Sequence, residues 1–222
     1  MHHKRSALGL RGHELLTMKT RLFFIALLAQ FMILPDYRLY AHEITVASPG
    51  NLINQIDLNS ASEIQNLTLH GEINSTDIRV INCLTNMETL NLSDVRIVSG
   101  GGTYLEQYRT EDDVIGNRMF QSCTNLTNII LPNSISIIRD CAFYQMSKLK
   151  EVIIPNSVTT IGASAFNGCS NITSITLPEK LEVLGMLAFG NCSKLQFVTF
   201  QGSIVILREW TFENCYNFIG VR

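Results

Sequence analysis

Six cysteines, five histidines and one acidic cluster are the side chains through which this 222-residue chain could do chemistry. Thiolates and imidazoles at metal-ligand spacing would build a zinc site, and a Ser or Cys beside a His would build a nucleophile. Neither pattern occurs. There is no CxxC pair or Cys/His cluster, and from position 42 onward only His42 and His70 remain. Glu111-Asp112-Asp113 lacks the alternating oxygens of a calcium loop and reads as a solvated charge run. Gly100-Gly101-Gly102 is not followed by Lys-Ser/Thr, so it reads as a hinge rather than a phosphate cradle. The expectation is a non-enzyme with no catalytic residue, no metal and no cofactor.

Four of the cysteines share a spacing. Cys123, Cys169, Cys192 and Cys215 fall on one 23-residue register, with Met146 in the gap. A shared register suits a ladder of small buried hydrophobes. The alternative is a bridge between neighbours such as Cys192 and Cys215, which requires Cα atoms within about 7 Å. Cys83 and Cys141 lie out of this phase. Asn-x-Ser/Thr occurs at Asn66, Asn74, Asn91, Asn125, Asn171 and Asn191. These would be glycan acceptors in a eukaryotic secretory pathway. A chain with 18 Asn, 17 Ser and 17 Thr also generates them by composition alone.

The composition bounds the class. With 46% apolar and 16% charged residues, the chain can build a core but solvates its surface with amides and hydroxyls. A net charge of −2 supplies no basic excess for phosphates, which excludes nucleic acid as a partner. The charges are also uneven. Lys4, Arg5, Arg11, Lys19, Arg21 and Arg38 all stand before His42, whereas acidic side chains outnumber basic ones from His42 onward. Met18 to Arg21 followed by the 13-residue apolar run Leu22 to Leu34, then a polar stretch to Ala41, has the layout of a secretory signal peptide. The run is too short for a spanning helix, which needs about 20 residues. Residues 1–41 are therefore read as a leader with Met18 as the true start, leaving no transmembrane segment after cleavage.

The rest of the chain repeats with a 23-residue period. Phe120, Phe143, Phe166, Phe189 and Phe212 are one period apart, as are Ile115, Ile138, Ile161, Leu184 and Leu207. Four more columns keep this register: Leu126 to Phe218, Ile129 to Val221, Leu131 to Phe200 and Ile135 to Ile204. Upstream, Leu67 pairs with Leu90 and Leu69 with Leu92. The step from Leu90 to Ile129 is one period plus a 16-residue insertion over 99–114, expected as flexible loop. Within a repeat, Val152-Ile153-Ile154 alternates as a short strand, Pro155-Asn156-Ser157 turns, and Val158 to Ile161 is extended again. Ala163 to Cys169 then reads as one helical turn. One such unit cannot bury its faces alone, so the units must stack.

The segment Ile161 to Pro178, Ile-Gly-x-x-Ala-Phe-x-x-Cys-x-x-Ile-x-x-Ile-x-Leu-Pro, resembles the BspA-like leucine-rich repeat family. Residues 115–222 match it closely, and 42–98 resemble the capping region and looser repeats of secreted members. Local departures are Met146 for Cys, Met119 and Thr211 for the small Ala, and Gln201 for Pro. The resemblance implies a β-rich α/β solenoid: a leucine-rich-repeat array with short strands, single helical turns and one 16-residue insertion loop. It also implies a secreted or cell-surface protein that adheres to an extracellular protein ligand, in host matrix or on other cells. The alternative is a spacer or targeting array for a catalytic or anchoring module not in this chain.

Alternation within the strands assigns the binding face. If Ile129 and Leu131 point inward, Asn128, Ile130, Glu151, Ile153, Ser174, Thr176, Phe197 and Thr199 point outward, on one continuous sheet face. Ile130, Ile153 and Phe197 are expected to anchor the ligand, with Glu151 on the rim. The chain stops one residue after Val221, the first position of a strand, so truncation, or self-association through an uncapped carboxy-terminal end, is also expected. The leader carries its own test: sequencing the amino terminus of the exported protein should return His42, and Met18 would refute cleavage.

Overall fold

The computed structural model describes residues 41–203 and 206–221, so the leader, apart from Ala41, and Ile204 lie outside the described residues. Each repeat contributes a first and a second short strand; the second strands form one parallel ladder and the first strands pair in parallel ladders of their own. The first strands are β7 (Asn128–Ile130), β9 (Glu151–Ile153), β11 (Ser174–Leu177), β13 (Phe197–Phe200) and β15 (Gly220–Val221). The second strands are β6 (Val114–Ile115), β8 (Ile137–Ile138), β10 (Thr160–Ile161), β12 (Val183–Leu184) and β14 (Ile206–Leu207). Paired residues are one period apart, Asn128 with Glu151, Ile137 with Thr160 and Ser174 with Phe197. The sequence period is thus the hydrogen-bond register itself.

A further ladder joins the repeats through turns. The helical turn expected over Ala163 to Cys169 is instead a series of turns, because Ser164 at φ 54° and Gly168 at φ 80° interrupt any right-handed helix. Their amides leave the local chain, Ser164, Phe166 and Gly168 donating to the carbonyls of Met186, Ala188 and Gly190 one repeat on. The left-handed positions recur once per period at Arg118, Cys141, Ser164, Leu187 and Trp210, and again at Gln145, Gly168, Asn191 and Asn214. Cys141 thereby acquires a place: it is one of the two left-handed residues of its turn, with Gln145.

Inside this frame the phenylalanines stack. Phe120, Phe143, Phe166 and Phe189 are fully buried, with ring centroids 5.4, 4.8 and 5.1 Å apart and planes within 17° of parallel. Phe212 and Phe218 continue the column at 5.8 and 5.3 Å, half-buried. Stacked rings fill a core column without voids, and each ring is held by the next.

The amino-terminal part continues the ladder of β7 and β9 with β1 (Ala41–Val46), β2 (Asn66–Ile73) and β3 (Thr89–Ile97), in the sheet order β1-β2-β3-β7-β9. Here the repeat turn is replaced by a helix, α1 (Ser75–Cys83), whose Ile78, Val80 and Ile81 are buried. Its pin is Asp77, fully buried, whose carboxylate accepts from the amides of Gly50, Leu52 and Asn74 at 2.5, 2.9 and 2.9 Å. Three N–H donors satisfy a charge that burial would otherwise penalise heavily.

The insertion is not a flexible loop. It forms an antiparallel hairpin, β4 (Gly100–Leu105) with β5 (Tyr108–Thr110). Tyr104 is buried, lies 6.3 Å from the Tyr108 ring and donates its hydroxyl to the Asn117 carbonyl at 2.7 Å. Thr110, also buried, is tied to Ser75 at 2.8 Å. Gly101 is no free hinge: at φ 72°, a Cβ would stand 2.7 Å from the Asn74 side-chain oxygen. The acidic cluster holds the hairpin down through Arg139–Glu111 at 2.5 Å, Arg96–Asp113 at 3.7 Å and the Ser99 amide on Asp112 at 2.6 Å.

Phe166→Ala should cost ~3–5 kcal/mol, since its neighbours are fixed and cannot close the cavity. Phe212→Ala should cost clearly less, being half-buried. Urea unfolding of the two variants checks this, and equal losses would mean that the column does not carry the core.

Candidate functional site

The outward positions of the first strands are the surface this scaffold displays. Val152, Ile175 and Val198 are buried while Glu151, Ile153, Ser174 and Thr176 are exposed, and Asn128, Ile130, Phe197 and Thr199 are half-buried. Ile153 stands out, half of it open to solvent on a strand whose inward face is packed. The Asn128 amide donates to the Glu151 carboxylate at 3.0 Å, fixing that charge beside Ile130 and Ile153.

The face is not the single continuous sheet expected from alternation. β7 and β9 end one sheet and β11, β13 and β15 form another, so the eight outward residues are split four and four. The other sides of the repeat stay joined. Second strands and turns stay bonded across this junction, Thr160 with Val183 and the Phe166 amide to Ala188, and the Phe166 and Phe189 rings stack at 5.1 Å. The two repeats part on the strand side alone.

Two clefts follow. One, of about 250 Å³, is lined by Leu90, Ile129, Ile130 and Ile153 with Asn128 and Glu151. The other, of about 670 Å³, lies over the break and is lined by Glu151, Ile153, Ser174 and Thr176, with Asn133, Asn156 and Gln201 beyond them. Six of the eight expected residues border these clefts; Phe197 and Thr199 do not. Sequence reasoning missed Asn133, Asn156 and Gln201, which sit in turns. The substitution of Gln201 for Pro was the one available signal.

Most of the side chains that could have done other chemistry are held by neighbouring groups. All six cysteines are free thiols. Cys169, Cys192 and Cys215 donate from Sγ to the carbonyls of Phe143, Phe166 and Phe189 at 3.1 to 3.2 Å, one period plus three positions back. Cys123 lies 3.3 Å from the Asn82 side chain. Burial pushes the Cys123 and Cys169 thiols up to about 12, and contact with Cys215 together with burial also raises Cys192. A thiol held protonated is a poor nucleophile.

His70 lies 3.0 Å from Glu43 and 3.3 Å from Asp94, on neighbouring strands. Among the described residues no group of three His, Cys, Asp or Glu side chains could hold a metal ion. The sequon asparagines form polar ladders: Asn125 and Asn171 donate to the Thr85 and Ser147 carbonyls and accept from Lys148 and Lys194. No helix of the described residues is long and apolar enough to cross a membrane.

Fold and surface together define a parallel β-solenoid of stacked repeats, a scaffold that displays side chains on the outward positions of its strands. The chain belongs to the BspA type leucine-rich repeat family, whose repeat is matched in six copies over residues 103–219. Among solved structures it is similar to a leucine-rich repeat protein of T. pallidum, at 19% identity and a TM-score of 0.45, covering 81% of this chain and 61% of that one. It is also similar to a leucine-rich cell surface protein of Faecalibacterium prausnitzii, at 18% identity and TM-score 0.47, covering 81% and 47%. A leucine-rich repeat protein of Bacteroides ovatus is similar at 21% and 0.41, covering 81% and 51%. The chain thus spans about half to three-fifths of the length of these proteins. No curated protein matches it.

The thiol geometry has a direct test. Under native alkylation near pH 8, exposed Cys83 should label first, while Cys123, Cys169 and Cys192 should label only on unfolding. Rapid labelling of Cys169 in the folded protein, read by peptide mass mapping, would contradict the buried ladder.

Proposed function

We propose that this is a secreted or surface-displayed repeat protein that binds an extracellular protein, in host matrix or on another cell, through the outward face of its first strands. Ile130, Ile153 and Phe197 anchor the ligand, Glu151 sets charge on the rim, and Asn128, Ser174, Thr176 and Thr199 supply hydrogen bonds. The organisation that serves this is a leader over 1–41, a capping region over 42–98, a hairpin inserted at 99–114 and the repeats over 115–222.

The observation that carries the reading is Ile153, 50% exposed between two clefts. Solubility alone would favour Thr there, as at Thr176, and exposed apolar area adjoining a concavity is where partners dock. Stacked repeats are a general scaffold for protein binding, because exposed positions vary without disturbing the buried columns.

Ile153→Lys and Phe197→Lys are the test. Adhesion to a matrix-protein panel should fall by about tenfold or more in each, the loss expected for a central anchor. The thermal melt of Ile153→Lys should be unchanged. Retained adhesion in both variants would move the site to the hairpin of β4 and β5.

A further inference from the structure

The break between β9 and β11 leaves main-chain groups without their ladder partners. On one side of it the Glu151 amide donates to the Thr127 carbonyl and the Leu131 amide to Ile153; on the other, the Phe197 amide donates to Thr173 and Gln201 to Leu177. Carried forward by one period, the same pattern would join the Ser174 amide to Lys150 and the Ile154 amide to Thr176. Neither bond forms among the described residues, and the two strands belong to different sheets. The core beneath is opened as well. Val152 and Ile154 are 8% and 9% exposed, against 1% for the equivalent Ile129 and Leu131.

We infer that this seam receives an extended peptide segment of the partner protein, whose main chain completes the missing ladder. The inference rests on the strand face being the binding face, and states the form the partner takes there. Two facing edges of alternating N–H and C=O groups at strand spacing are complemented by an extended main chain, the mode of recognition by strand addition. The cleft over the seam, about 670 Å³, is of the size of a ligand site. The bonded second strands, Thr160 with Val183, and the Phe166–Phe189 contact hold these repeats on the other sides, so the seam widens about them without unstacking the core.

The flanking side chains set the sequence preference. The exposed Glu151 carboxylate at the head of the seam selects a Lys or Arg near the start of the segment. Ile153 takes an apolar or β-branched side chain, and the hydroxyls of Ser174 and Thr176 accept small polar ones.

Hydrogen exchange of the full chain, followed by NMR, tests this with a defined probe: a synthetic peptide with one lysine followed by the sequence of β11, which already pairs in this register with β13. In the free chain the amides of Val152, Ile154, Ser174 and Thr176 should exchange rapidly, unlike those of Phe197 and Thr199. Saturation with the peptide should slow all four at least about tenfold, as expected when an open ladder closes. The same peptide with alternate amides N-methylated should not. Slow exchange in the free chain, equal protection by the methylated peptide, or no protection up to the solubility limit of the unmethylated one would overturn the proposal. Adhesion lost in Ile153→Lys without seam protection leaves the face reading and removes the strand. Seam protection with adhesion unchanged supports the strand and removes the face reading.

Discussion

Hydrogen-bonded stacking at one fixed register is the constraint from which the rest of this structure follows. Wherever repeats pair, strands and turns meet one period apart, so a side chain in one repeat is placed directly over its equivalent in another. A column therefore accepts a residue type rather than a residue. Phe suits the column from Phe120 to Phe212 because parallel rings stack at about the spacing that the ladders impose. Cys suits the neighbouring column because it is small enough to be buried and its thiol can reach the Phe carbonyl of the preceding repeat. Met146 fits the volume without that bond.

Continuous ladders use up main-chain polarity, and this makes their interruptions informative. Asn side chains bridge turns from repeat to repeat, as in Asn214 to Asn191 and Asn191 to Asn167. The left-handed residues turn amides out of the local chain and into the next repeat. Against this economy, the break between β9 and β11 is the place where donors and acceptors face a cleft instead of each other. The amino-terminal region solves the same problem by another route: α1 replaces a turn, and Asp77 gathers amides that no neighbouring repeat can take.

A scaffold of this kind separates stability from recognition. Inward columns carry the packing, and the outward positions of the first strands can differ, which is why Asn128, Glu151, Ser174 and Phe197 occupy equivalent places with unrelated chemistry. Binding that depends on such positions can change its ligand without changing its fold.

The repeat period, the inward columns and the alternation of the strands were legible in the sequence, because stacking makes every packed position recur once per repeat and periodicity is a one-dimensional signal. Expecting Phe166 and Cys169 in columns needed nothing more. The turn over Ala163 to Cys169 was misread as helical because Ser164 gives no sign of left-handed backbone; only its bonds to the next repeat select it. The hairpin was misread as loop because its order comes from Tyr104 reaching Asn117 and Thr110 reaching Ser75, contacts made only after the chain has folded back. The seam was invisible for a related reason: Glu151 to Ile153 and Ser174 to Leu177 have ordinary strand sequences. Whether they pair is decided by how their two repeats stack, a property that no single repeat encodes.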